Sequence, residues 1–180
     1  MWGDSLVHGG CDAEMGGWVT RLKLYLWRRG LGDHAFNLGL GGNNSTDLVA
    51  RLRPELEARR NHIDHVMISV GVNDVMAAGV TPEDYQANLE SLLATVRSFG
   101  KTAHLLTMTL MLGKVGRSEK FNDVIAQVAA AQNVRLLKMQ GCLCKTDLVD
   151  YVHPNAAGHE KIFQWVKTYL IREAIISSAD

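Results

Sequence analysis

The run Val66-Met67-Ile68-Ser69-Val70, closed by Gly71, is almost continuously apolar. Such a run suits a strand covered on both faces, and strands of that kind belong to parallel sheets flanked by helices. Ala103 to Thr109 and Val134 to Leu137 repeat the pattern, and Ala35 to Leu38 is a shorter case. Met1 to Asp4 supplies only a brief opening strand, which reads as truncated.

Amphipathic segments fill the intervals. Trp18, Leu22, Tyr25 and Leu26 share one helical face, and Gly30 is a stop. Leu48, Leu52 and Leu56 recur every four residues, with Pro54 expected to kink or split their helix. Thr81-Pro82-Glu83-Asp84 predicts a helix start, with Thr81 as cap, Pro82 in the first position and acids in the first turn. Tyr85, Leu89, Leu92 and Val96 form its buried stripe, and Gly100 ends it. Ser118 is the predicted cap of a helix buried through Phe121, Val124, Ile125 and Val128. Asn155 is that of a last helix buried through Ile162, Phe163, Val166 and Leu170.

Strands alternating with helices predict an α/β fold, a parallel sheet with helices on both faces. Ligands of such folds lie outside the carboxyl ends of the strands. The polar motifs fall there. Ser5 follows strand one, Gly42 strand two and Asn73 strand three, while Asp150 and His153 occupy the loop after strand five.

The 180 residues, 47% hydrophobic and 21% charged, suit a single domain spanning 1–180. Nineteen basic residues balance nineteen acidic ones, so no nucleic-acid footprint or anionic membrane surface is expected. No apolar run approaches the ~20 residues of a membrane span. No signal peptide is visible, which predicts a cytoplasmic protein, although Met1-Trp2 stand so close to the first motif that an upstream segment has room to exist. Three cysteines, Cys11, Cys142 and Cys144, make an odd set and predict a reducing compartment rather than a disulfide framework. Cys142-Leu143-Cys144 with seven histidines invites zinc, but the spacing fits no common site, and His62-Ile63-Asp64-His65 has no cysteine nearby. No metal or cofactor is expected.

Each polar piece has an ordinary explanation and a chemical one. Gly3-Asp4-Ser5 alone reads as a helix cap, yet Ser5 is also a hydroxyl that a base could activate. Asn37-Leu38-Gly39-Leu40-Gly41-Gly42 is a flexible turn, or a loop whose backbone approaches a substrate oxygen. A dinucleotide loop needs a glycine where Asn44 stands, although Glu55 or Glu57 could serve as its ribose partner. Asn73 closes a turn or donates its amide to an oxyanion. Asp150-Tyr151-Val152-His153 opens the last helix through Pro154-Asn155, or supplies a base with a carboxylate to orient it. His8, His34, His62, His65, His104 and His159 are assigned to surface or packing.

Taken in order, these four blocks resemble those of the SGNH hydrolases, the GDSL esterases and lipases. Gly3-Asp4-Ser5-Leu6 resembles the first block, Asn37 to Gly42 the second, Gly71-Val72-Asn73-Asp74 the third and Asp150 to Pro154 the last. Asn155-Ala156-Ala157-Gly158-His159 is also similar to the family's stretch after its last-block histidine. The resemblance implies a three-layer α/β/α sandwich with a five-stranded parallel sheet in the flavodoxin-like order 2-1-3-4-5. It implies a catalytic triad of Ser5, Asp150 and His153, an oxyanion hole of Ser5, Gly42 and Asn73, and hydrolysis of a small-molecule ester without a cofactor. Leu6, Val75, Met76, Met111 and Leu112 follow strands and are candidate walls of an acyl pocket, or else ordinary core. The expected activity is a serine esterase for short-chain esters, thioesters or lysophospholipids. The alternatives are a carbohydrate O-acetylesterase and a non-catalytic binding module of the same fold.

Overall fold

The structure is a computed structural model that describes residues 1–31 and 35–177. The assignment of His34 lies outside the described residues. Five parallel strands, β1 (Trp2–Gly3), β2 (Leu38–Gly39), β3 (His65–Ser69), β4 (Thr102–Leu106) and β5 (Arg135–Leu137), form one sheet in the order β2-β1-β3-β4-β5. Between them run α1 (Ser5–His8), α2 (Gly17–Arg28), α3 (Ser45–Glu57), α4 (Val72–Met76), α5 (Pro82–Ser98) and α6 (Val115–Ala131). A final helix, α7 (Ala156–Arg172), comes after β5 and a 3₁₀ turn at Lys145–Asp147.

The apolar strands divide their side chains between two cores. Val66, Ile68 and Val70 face one side with α3, α5 and α6, through residues such as Leu48, Leu52, Leu89, Leu92 and Phe121. Met67 faces the other with Leu106 and Leu137, against Trp18 and Leu22 of α2 and Ile162 and Val166 of α7. The period of two along β3 therefore feeds two layers of helix, which is why its run carries no water-facing residue.

β1 is central yet only two residues long, pairing Trp2 with Leu38 on one side and Ile68 on the other. Upstream of it the terminal amine of Met1 donates to the Phe36 carbonyl at 2.9 Å. Burial pushes that amine down to about 5. Beside this end of the sheet lies a cavity of about 340 Å³ whose walls include Met1, Trp2, Phe36, Ile63 and Met67.

Three expectations need correction. The apolar run to Thr109 outlasts β4, which ends at Leu106. Beyond it the Met108 amide donates to the Asn122 side chain instead of a neighbouring strand, so apolarity there records burial rather than pairing. Pro54 does not split α3. It gives up only its own amide bond back to Ala50, and fully buried Leu52 and Leu56 anchor the helix on both sides of it. Ser118 is not a cap, because α6 begins at Val115, and its hydroxyl donates back to the Val115 carbonyl at 2.8 Å. The Thr81 cap of α5 is present with its reciprocal Asp84 bond, as is the Asn155 cap of α7.

Candidate active site

The strand-to-helix turn after β1 is tight. A Cβ on Gly3 would lie 2.1 Å from the Ser69 carbonyl oxygen, so the close approach of β1 to β3 needs glycine there. Asp4, not Ser5, caps α1, accepting the Leu6 amide at 2.9 Å. The Ser5 hydroxyl is thereby free of capping duty. Its oxygen lies 2.9 Å from Nε2 of His153.

His153 is oriented from behind. Its Nδ1 is 2.8 Å from Oδ2 of Asp150. An ionised carboxylate only accepts, so Nδ1 carries the proton and Nε2 is left as acceptor for the serine hydroxyl. The Asp150 carboxyl is pushed up by desolvation, but the His153 amide, the His153 ring and the Val152 amide outweigh that and bring it down to about 2. The loop is closed at its base. Leu148 and Pro154 form an antiparallel bridge, and the Val149 amide donates to the His153 carbonyl.

Block two comes after β2. The Leu40 amide donates to the Gly3 carbonyl at 3.0 Å, tying this loop to the strand that precedes Ser5. Asn73, the second residue of α4, donates one amide hydrogen to the Asn43 carbonyl at 2.8 Å, directly after Gly42, and retains another. Gly71 turns the chain there at φ +138°, where a Cβ would meet the Tyr85 hydroxyl oxygen at 2.7 Å. Asp74 is buried and holds the start of α3, accepting the Ser45 amide and, at 2.5 Å, the Ser45 hydroxyl.

The candidate pocket walls divide. Leu6, Val75 and Met111 are buried members of the core, the second of the two readings that their positions allow. They follow strands, but the same positions open helices and loops whose inner faces must be filled. Met76 is exposed, and Leu112 is half-buried with its amide on the Tyr151 carbonyl at 2.8 Å. Exposed apolar residues not proposed as pocket walls, Leu40, Val149 and Tyr151, lie on the loops that carry the motifs, and Met76 ends α4. The dinucleotide alternative loses Glu55, which is held by Arg51 and Trp2.

Three supports of the site are given no such role by the sequence reading. Asp12 accepts the Gly17 amide and pairs with Arg21, which reaches Glu160 and the Ala156 carbonyl, clamping the loop after α1 to the start of α7. Fully buried His159 contacts the Gly10 carbonyl at 3.0 Å through Nε2, and the Gly10 amide donates to the Ser5 carbonyl. Asp4 is 2% exposed. Its carboxyl is raised to about 7, chiefly by burial and further by the charge of Asp74, against the lowering effect of the Leu6 amide.

That shift has a sign. Between the ordinary 3.8 and about 7, the folded protein keeps a proton that the unfolded chain has released, so stability falls as pH rises through this window. The whole window corresponds to a few kcal/mol, on the order of 4 at most. Asp4→Asn keeps an oxygen for the Leu6 amide but cannot ionise. Urea denaturation at pH 5 and pH 8 should show wild type losing stability between the two and the variant losing much less. Equal losses would remove Asp4 as the cause.

Among the described residues no helix is long and apolar enough to cross a membrane. A family model described as the GDSL-like lipase/acylhydrolase family matches residues 1–161. The chain is 28% identical over 169 residues to an acetylxylan esterase of Geobacillus stearothermophilus, covering 77% of this chain and 76% of that protein. A solved α/β hydrolase enzyme from the metagenome of Lake Arreo, Spain, matches with a TM-score of 0.80 at 26% identity, over 98% of this chain and 94% of that one. The crystal structure of Axe2, an acetylxylan esterase from Geobacillus stearothermophilus, matches with a TM-score of 0.79 at 24% identity, over 97% and 92%, a likeness of fold. With four ordered motif blocks gathered at one sheet edge and the family model spanning nearly all of it, the chain belongs to the GDSL-like lipase/acylhydrolase family and is a carboxylic ester hydrolase.

Proposed function

We propose that this enzyme removes short acyl groups, acetyl foremost, from carbohydrate hydroxyls through an acyl-enzyme on Ser5. The observation that carries the mechanism is the chain from Ser5 Oγ to His153 Nε2 at 2.9 Å and from His153 Nδ1 to Asp150 at 2.8 Å. His153 takes the hydroxyl proton as Ser5 attacks the ester carbonyl. The Ser5 and Gly42 amides and the free hydrogen of the Asn73 amide receive the oxyanion. Protonated His153 gives its proton to the departing alcohol, and water activated by the same ring releases the acid.

Two observations support the substrate class. The 28% identical relative is an acetylxylan esterase. Leu6, Val75 and Met111 are sealed in the core, while Tyr151, 73% exposed, stands two residues from His153 as an aromatic face open to a bulky alcohol. The cytoplasmic reading is kept as part of the proposal, supported by the unpaired state of Cys11, Cys142 and Cys144.

The test is acetate release from acetylated xylooligosaccharides, run beside p-nitrophenyl acetate, hexanoate and decanoate. Acetate should appear at a rate comparable to or above that on p-nitrophenyl acetate, and turnover should fall steeply from hexanoate to decanoate. Preference for decanoate with no acetate released from the sugar would overturn the substrate assignment.

A further inference from the structure

We propose that Arg51 is the positioning residue of the oxyanion hole, orienting the turn that carries Gly42 and Asn43 against the strand that carries Ser5. The inference rests on the reading of Ser5, Gly42 and Asn73 as donors.

Arg51 lies on the second turn of α3 with its side chain 15% exposed. Each edge of its guanidinium is used. Nε donates to Oδ1 of Asn43 at 2.6 Å, and Nη2 to the Gly3 carbonyl at 2.9 Å. Nη1 donates to both oxygens of Glu55, at 2.9 and 3.0 Å. Glu55 is itself fixed by the indole of Trp2, whose Nε1 donates to Oε2 at 2.6 Å.

These acceptors have a common consequence. Gly3 stands two residues before Ser5, so the bond to its carbonyl fixes the strand that delivers the Ser5 amide. Asn43 is the residue after Gly42, and its backbone carbonyl accepts the Asn73 side chain at 2.8 Å. One planar cation therefore sits within one or two residues, or a single hydrogen bond, of all three donors. A guanidinium offers its N–H groups in a rigid fork, so holding one bond constrains the others. Lysine could reach one of the acceptors but not span them. The direct ladder bond from Leu40 to the Gly3 carbonyl keeps the two segments adjacent without Arg51. What Arg51 adds is a hold on the Asn43 side chain, and through it on the turn that carries the Gly42 amide and the Asn43 carbonyl, and misplacing a catalytic group by about an ångström can cost ~100-fold in rate.

The experiment is a double-mutant cycle on p-nitrophenyl acetate with Arg51→Gln, Asn73→Ala and their combination, plus Arg51→Lys. Rates are expressed per active site titrated with a phosphonate, which removes any unfolded fraction from the comparison. Arg51→Gln should lower kcat about 10- to 100-fold with KM within about threefold, because the loss falls on the transition state. Arg51→Lys should be intermediate. In the Asn73→Ala background the same change should cost several-fold less, because part of what Arg51 positions has already gone. Unchanged kcat per titrated site, or full additivity with Asn73→Ala, would overturn the proposal. Should Arg51→Gln not fold, Arg51→Lys carries the same cycle with the same two outcomes. Failure of wild type to turn over or to be titrated would refute the site itself. Loss of rate in Asn73→Ala but none in either Arg51 variant would refute only the role of Arg51.

Discussion

Replacing Ser5 with alanine should abolish ester hydrolysis, lowering kcat by ~10⁴-fold or more while leaving the far-UV circular dichroism and the melting temperature nearly unchanged. Both halves of this expectation come from the geometry. The Ser5 hydroxyl pairs with His153 and with no capping amide, since Asp4 performs that service for α1. Removing one oxygen therefore deletes the nucleophile and spares the helix. A phosphonate or sulfonyl fluoride should add its mass to Ser5 in wild type and to nothing in the variant. His153→Ala should be equally severe. Asp150→Asn should be damaging, because its one oxygen cannot serve both the backbone amides and Nδ1, but milder, because the oxyanion donors and binding keep some catalysis. Wild-type activity should fall on the acid side, because a protonated ring cannot accept the serine proton, while Asp150, with its carboxyl near 2, stays ionised throughout. Labelling at another residue, or a flat pH profile with His153→Ala still active, would refute the assignment.

Asn73→Ala should lower kcat by roughly 10²- to 10³-fold with little change in KM. Its side chain gives one hydrogen to the Asn43 carbonyl and keeps the other, the one that the proposed mechanism assigns to the oxyanion. The interaction strengthens only as charge develops on the substrate oxygen, so its loss belongs to the transition state. Asn73→Asp should be at least as damaging, because it replaces a donor with a negative acceptor beside the developing charge. A rise in KM with kcat unchanged would instead make Asn73 a ground-state binding group.

Much of the architecture is legible in local chemistry. The β3 run announces a strand covered on both faces because each side chain, odd or even, needs an apolar partner. The caps at Thr81 and Asn155 are readable because a cap is made and satisfied within four residues. Ser118 misleads for the same reason, since a serine hydroxyl is equally satisfied by a carbonyl one turn back inside a helix. The candidate pocket walls are a different case. Position after a strand says that Leu6, Val75 and Met111 lie near the catalytic edge but not which way they point, and the core claims all three.

The order of four polar blocks along the chain, each after an apolar run, was enough to name the fold, the family and the residues to test, because periodicity and motif are properties of short stretches. Distances between blocks were not. That Ser5 meets His153 across 148 positions, that Glu55 is held by Arg51 and Trp2, and that Arg51 binds Gly3 and Asn43 together depend on how the helices seat against the sheet. That seating is set by the sum of many buried contacts distributed over the whole chain, and no local pattern carries it.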